Sequence, residues 1–202
     1  MLRLVKYLYF PIAVLFAIGI IIKSVEYLSP DFTRGYLSDK AEHFHWFRYA
    51  LYAHMTAAPI AFFCGLFQFI SLKSRYHKLA GRIYVFTILF FAAPSGLAMS
   101  FLAIGGLPSV LTFLALSICW FIYTFQAYQS ARRKDFGAHA RFMVGSYILT
   151  NSAILLRIFG YINNNWQLMP GPEGYVVISI LSWLPGLLIY ELFFASRLTL
   201  QR

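Results

Sequence analysis

His54, His77, His139 and Arg157 stand in or beside long apolar runs, and they are the side chains best suited to chemistry in this chain. Histidine ligates metals and haem iron, and arginine binds anionic oxygens. Ionisable groups at membrane depth are costly and face a cavity or a partner. Steps of three and four residues put His54, Ala58, Ala61, Gly65 and Gln68 on one helical face. The same steps join His139, Met143, Ser146, Thr150, Ala153 and Arg157. Ser117, Trp120, Thr124 and Ala127 form a third stripe. His77, Gly81, Tyr84, Ile88, Phe91 and Ser95 form a fourth and weaker one. Small and hydroxyl residues at this spacing let helices pack closely in lipid. That accounts for most of the stripe positions, but not for His54, His139 and Arg157.

The elements that must position these residues are six apolar segments, at 4–22, 46–72, 79–104, 107–130, 140–162 and 175–195. The chain is 60% hydrophobic and only 12% charged over 202 residues, against about half and a quarter in a soluble domain. Six spans of about 20 residues fill such a chain, so no separate soluble domain fits. The expected fold is an all-α integral membrane protein with six transmembrane helices. A core bundle of helices two to five (46–162) is flanked by peripheral helices at 4–22 and 175–195. Gly105-Gly106 reads as a tight turn, and Pro185-Gly186 as a kink in the last span. Pro11 lies in the first span. That span is read as an uncleaved helix rather than a signal peptide, because no small-residue cleavage site follows it.

Net charge is +10, but the basic residues sit in short clusters between apolar runs, a topology signal and not a nucleic-acid face. Lys73, Arg75, Lys78, Arg82, Arg132, Arg133, Lys134 and Arg141 fall on one side of six spans, together with Arg3, Lys6, Arg197 and Arg202. The other side has Lys23, Arg34, Lys40 and Arg48, offset by Glu26, Asp31, Asp39 and Glu42. Both termini are therefore expected in the cytoplasm. Cys64 and Cys119 form no metal or redox spacing and read as small buried hydrophobes. Glu191 is expected at the interface. His43 and His45 lie in the long 23–45 connection and read as solvated.

Depth decides which histidines can share a ligand. His54 lies roughly 12 Å below the outer edge of its span, whereas His77 and His139 fall just before the inner ends of theirs. Segments three and five are diagonal neighbours in an up-and-down four-helix bundle. Two histidines at equal depth on a diagonal match the axial ligands of a b-type haem, with Arg75, Arg82 and Arg141 as partners for its propionates. Interfacial residues within basic loops are the other reading of the same pair. His54 and Arg157, with Gln68 on the His54 stripe, outline an outer polar site for an anionic or polar ligand such as a quinone headgroup. A single zinc site using all three histidines is disfavoured by roughly 18 Å of depth.

The run His54…Gly65-Leu66-Phe67-Gln68-Phe69, then Arg75-Tyr76-His77-Lys78-Leu79-Ala80-Gly81-Arg82-Ile83-Tyr84-Val85, resembles the predicted membrane proteins of domain-of-unknown-function family 2306. So do Gly105-Gly106, Trp120 with Thr124 and Ala127, and His139-Ala140-Arg141-Phe142-Met143 followed by Ser146-Tyr147 and Arg157. The resemblance covers residues 50–160. After the third histidine the family often has Arg and then Trp-Met, so the Ala-Arg-Phe-Met here is a partial match. The resemblance implies a multi-pass protein of a bacterial cytoplasmic membrane with no assigned activity. It carries forward His54, His77, His139 and Arg157 as candidate functional positions.

No nucleophile elbow, phosphate loop, zinc-protease motif or dinucleotide fingerprint occurs in the sequence. The spans hold almost no carboxylates, which argues against carboxylate-pair hydrolysis and acid-based proton pumping. Three functions stay open. The first is haem-based electron transfer, with quinone or another redox protein as partner. The second is a cofactor-free scaffold or assembly protein of a membrane complex. The third is a small-molecule transporter.

Overall fold

A computed structural model describes residues 2–33, 35–70 and 75–196. The basic residues Lys73, Arg34, Arg197 and Arg202 lie outside the described residues. Helix α1 runs Leu2–Ser24 and is followed by short 3₁₀ turns at Val25–Leu28 and Gly35–Leu37. Then come α2 (Phe44–Ile70), α3 (Arg75–Thr87), a π turn (Ile88–Ala92) and α4 (Ala93–Ser100). Helices α5 (Gly106–Arg132), α6 (Phe136–Trp166), α7 (Pro172–Leu181) and α8 (Leu184–Phe193) complete the chain. The described residues form six helical spans long and apolar enough to cross a membrane, with α3–π–α4 and α7–α8 each making one. Large apolar side chains on their outer faces are open, with Leu15, Phe90 and Leu192 at 70%, 66% and 73% exposure. Such surface suits hydrocarbon and not water.

Local chemistry sets the boundaries. Gly105 and Gly106 take φ values of 98° and 69°, the left-handed region where a side chain is strained, and so permit the tight turn into α5. Asp135 caps α6 by accepting a hydrogen bond from the Ala138 amide at 3.0 Å. That cap starts α6 four residues before the apolar run at 140, so His139 lies inside the first turn of the helix. Helix α3 likewise begins at Arg75, which places His77 in its first turn. The last span breaks at Ser182-Trp183, because Pro185 in the first turn of α8 has no amide to continue the ladder. Pro94 acts similarly in the third span. Its missing N–H and its ring disturb the preceding turn, which opens into the π turn at Ile88–Ala92.

Helices α2 and α3 pack side by side, as do α4 and α5, and α5 and α6, while α6 also meets α2. Among the described residues the backbones of α3 and α6 do not approach one another. They are joined instead by a side chain. The Tyr84 hydroxyl of α3 lies 2.7 Å from Ser146 Oγ and 3.0 Å from Thr150 Oγ1, both on α6. From α5, Thr124 Oγ1 lies 2.7 Å from Ser146 Oγ, and Trp120 Nε1 donates to Thr150 Oγ1 at 3.0 Å. Thr124 and Thr150 donate to the carbonyls of Trp120 and Ser146. Ser146 can then donate to Thr124, and Tyr84 to its two α6 neighbours, so every hydroxyl proton has an acceptor. Tyr84, Thr124 and Ser146 have no accessible surface. Tyr84 reaches its place beneath Gly65, where an added Cβ would come within 2.5 Å of the Tyr147 ring and 2.8 Å of the Tyr84 ring.

Helix α1 rests on α2 and α6, and α7 and α8 rest on α6, with α7 also against α5. The 25–43 segment folds over one end of the bundle. Leu37, Phe47 and Leu51 bury there against Tyr27, Phe32 and Tyr36. Lys40 is fully buried in this cap, paired with Asp39 at 2.6 Å and 4.5 Å from the Tyr36 ring centroid. The opposite, basic end carries the starts of α3 and α6 and the basic residues Arg132, Arg133 and Lys134.

Loss of the central hydroxyl should cost roughly 1–3 kcal/mol, because it leaves buried partners unmet. Tyr84→Phe is therefore expected to lower the thermal midpoint in detergent, and Gly65→Ala to do the same through overpacking. An unchanged midpoint in both variants would show that this network does not hold the bundle together.

Candidate functional site

The basic end of the bundle holds His77 of α3 and His139 of α6. Each lies in the first turn of its helix, and the two imidazoles are within electrostatic reach of one another. His139 Nδ1 sits 2.9 Å from the carbonyl oxygen of Ala127 on α5. A carbonyl only accepts, so Nδ1 carries the proton and Nε2 keeps its lone pair. Metal-ligating histidines are commonly oriented by this kind of second hydrogen bond. His77 Nδ1 is buried with no hydrogen-bond partner among the described residues. The backbone of His77 is fixed by Gln68, whose Nε2 donates to its carbonyl at 3.0 Å.

Gln68 thus belongs to the basic end, which corrects its expected place beside His54. The two are fourteen residues apart on α2, roughly 21 Å along the axis, so a shared stripe does not make a shared site. The three expected propionate partners are also reassigned. Arg141 forms an ion pair with Glu191 of α8. Tyr123 donates to the same carboxylate at 2.8 Å, and Tyr190 donates to the Arg141 carbonyl at 2.8 Å. Glu191 is consequently an inter-helix partner. On α3, Arg75 and Arg82 lie about 160° and 140° around the helix from His77. Arg75 is exposed and turns to the Tyr76 hydroxyl at 2.7 Å, and Arg82 is exposed.

Near the capped end His54 is anchored to the π turn. Its Nδ1 lies 2.9 Å from the carbonyl of Ala92, the last residue of that turn, and so donates to it. Gly96, one turn on, has a Cβ position only 3.2 Å from His54 Cε1, and the ring centroid of Trp120 is 6.4 Å away. Nε2 of His54 is left as an acceptor. Arg157 on α6 is within electrostatic reach of His54 and of Tyr27, Tyr36 and Tyr175. The Arg157 side chain is exposed. Its Nη1 donates to the Ala153 carbonyl at 3.0 Å, and no carboxylate of the described residues pairs with it. Burial in the cap, with Tyr175 and Tyr27 nearby, raises the Tyr36 hydroxyl above its ordinary pKa, so it remains a hydrogen-bond donor.

Two cavities open near these elements. One of about 270 Å³ is lined by Gly160, Asn163, Asn164, Gln167 and Tyr175 at the C-terminal end of α6. The other, of about 560 Å³, is an apolar groove between α1 and α6. Its polar floor is the 2.7 Å hydrogen bond from the Tyr9 hydroxyl to Asn151, beside the buried Tyr147 hydroxyl.

The sequence profile of a family described as Predicted membrane protein (DUF2306) matches residues 51–194. The chain belongs to the DUF2306 family. The family region runs from the second turn of α2 to the end of α8, and so takes in His54, His77, His139, Arg157 and the Arg141–Glu191 pair. It leaves out α1 and the cap, with His43 and His45. No curated protein and no solved structure matches the chain.

Two features of the DUF2306 region escaped sequence reasoning. The π turn that holds His54 is signalled by Pro94 alone. The Arg141–Glu191 pair joins residues fifty positions apart, for which the sequence carries no local sign. A double-mutant cycle on Arg141→Ala and Glu191→Ala should give a coupling of about 0.5–3 kcal/mol in thermal unfolding. Additive losses would mean that the pair is only a surface contact.

Proposed function

We propose that this protein is a membrane electron-transfer protein whose core bundle of α2, α3–α4, α5 and α6 holds a b-type haem between His77 and His139. The observation carrying this reading is the placement of His77 and His139 in the first turns of α3 and α6 at the same end of the bundle, the second with its tautomer set by Ala127. The donor set fits a bis-histidine site. His139 offers Nε2, and His77 has a buried ring nitrogen without a hydrogen-bond partner among the described residues. Haem at such a site supplies one-electron transfer at a potential tuned by its ligands and their hydrogen bonds. Gln68 fixes the His77 backbone, and the Ala127 carbonyl fixes the ring orientation of His139. Arg141 stands outside this role, since its charge already serves Glu191.

The α1–α6 groove supports a quinone as redox partner. It is open to lipid, and its polar floor at Asn151 and Tyr9 suits a carbonyl headgroup in an apolar slot. The basic clusters support an orientation with the α3 and α6 starts, and both termini, on the cytoplasmic side of a bacterial plasma membrane. A scaffold would need neither the unsatisfied His77 nitrogen nor the free His139 nitrogen.

Protein purified from haem-supplied cells should show sharp b-type bands in a reduced-minus-oxidised spectrum. The bands should vanish in both His77→Ala and His139→Ala and persist in His54→Ala. A colourless, folded protein would refute the haem. For orientation, a fluorescent protein fused after residue 202 should be fluorescent, and an alkaline phosphatase fusion at the same point inactive. The reverse pattern would invert the topology.

A further inference from the structure

We infer that the outward face of α3 binds the headgroup of an anionic phospholipid in the leaflet at the basic end. Arg75, Lys78 and Arg82 are all exposed there. At about 100° per residue they fall within an arc of about 60°, on the side of α3 away from Tyr84 and the bundle interior. Leu79, Ile83, Phe86 and Phe90 follow one another at steps of four, three and four, and all are exposed. The three cations therefore stand at the foot of an apolar stripe roughly 16 Å tall, about the depth of one leaflet.

The protein's own acids are committed elsewhere. The chain has seven Asp and Glu residues, and only Asp135 and Glu191 stand at the basic end. Asp135 caps α6, and Glu191 pairs with Arg141. Among the described residues no ion pair joins an acid to Arg75, Lys78 or Arg82. The Arg75 guanidinium lies over the Tyr76 ring, 4.8 Å from its centroid, an interfacial contact that leaves the charge unmet.

Depth selects a lipid over a soluble partner. The third span runs 26 residues from Arg75 to Ser100, roughly 39 Å against about 30 Å of hydrocarbon. Centred in the bilayer, it leaves about three residues outside at each end. Arg82, roughly 10 Å in from Arg75, then lies about 6 Å inside the hydrocarbon on the lipid side. A soluble anion or an acidic protein does not reach that depth. Arginine lowers its cost there by extending its stem toward the interface. Helical side chains lean toward the N-terminus of their helix, and the N-terminus of α3 is the basic end. Arg82 thus reaches back toward the turn of Lys78, where the phosphodiester of a phospholipid meets it. Arg75 and Lys78 flank that headgroup. They repel the ammonium of a zwitterionic lipid and favour a headgroup of net negative charge.

Native mass spectrometry of the full chain tests this. The protein is released from neutral detergent holding equal amounts of phosphatidylglycerol and phosphatidylcholine with the same acyl chains. Phosphatidylglycerol should be retained in preference, and inorganic phosphate should not displace it. Arg82→Gln should lower the retention ratio about fivefold, the value of one cation at a lipid surface, and Arg82→Lys should largely keep it. Arg75→Gln with Lys78→Gln should lower it further. Arg132→Gln with Arg133→Gln, which removes two cations at the same end but not on α3, should leave it unchanged. If Arg82→Gln does not fold, the Arg75 and Lys78 variant carries the test. The proposal is overturned if the two lipids are retained equally, if the folded α3 variants keep the parent's ratio, if the Arg132 and Arg133 changes lower it as much, or if inorganic phosphate displaces the lipid.

Discussion

The hydroxyl of Tyr84 is the interaction on which the rest of the bundle depends. Hydrocarbon offers no hydrogen-bond partners, so each polar group at mid-depth must find one inside the protein. Tyr84 solves this for three helices at once. It crosses from α3 to the Ser146–Thr150 face of α6, and Thr124 and Trp120 of α5 close the circuit. Because α3 and α6 touch through this side chain and not through their backbones, its reach sets their separation. The room for it is set in turn by Gly65 on α2. A close approach of α2 therefore accompanies a wide spacing across the diagonal.

That network also divides the molecule into two halves with different chemistry. Below it lie two histidines with free ring nitrogens and a ring of surface cations. Above it lie one histidine, one arginine and three tyrosines beneath an aromatic cap. Trp120 occupies the α5 face nearest His54, so the upper half has no second imidazole opposite the first. The donor–acceptor chain between the halves is complete within itself.

Much of this was legible in the sequence, for reasons of scale. A run of about 20 apolar residues is a strong and local signal, so the six spans, the Gly105-Gly106 turn and the break before Pro185 could all be read. The stripes correctly collected Ser146, Thr150, Thr124 and Trp120, because helical periodicity is local too. Tyr84 ranked low because its stripe is mixed with large apolar residues, and a hydroxyl that crosses a bundle leaves no periodic trace. Gln68 was misplaced for a related reason: a stripe fixes azimuth, not depth. Arg141, Arg75 and Arg82 were grouped by their nearness to two histidines in sequence. The first was diverted by Glu191 from a distant helix, and the others point away by simple rotation. The helix starts at Arg75 and Phe136 were hidden because polar first turns, one of them capped by Asp135, continue the helix past the apolar run.

The π turn at Ile88–Ala92 has a consequence for how the third span can vary. A π turn amounts to one residue added to an α-helix, and one residue is about 100° of rotation. Tyr84, before the turn, and Ser95 and Gly96, after it, are consequently aimed out of phase with a regular helix. The span behaves as two keys cut on one shaft, one fitting the hydroxyls of α6 and the other fitting His54. A single-residue deletion inside the turn would close it into regular α-helix and leave the two keys nearly in phase, at the cost of the turn whose Ala92 carbonyl holds His54. A one-residue change in the flanking helix would instead rotate one key against the other by about 100°.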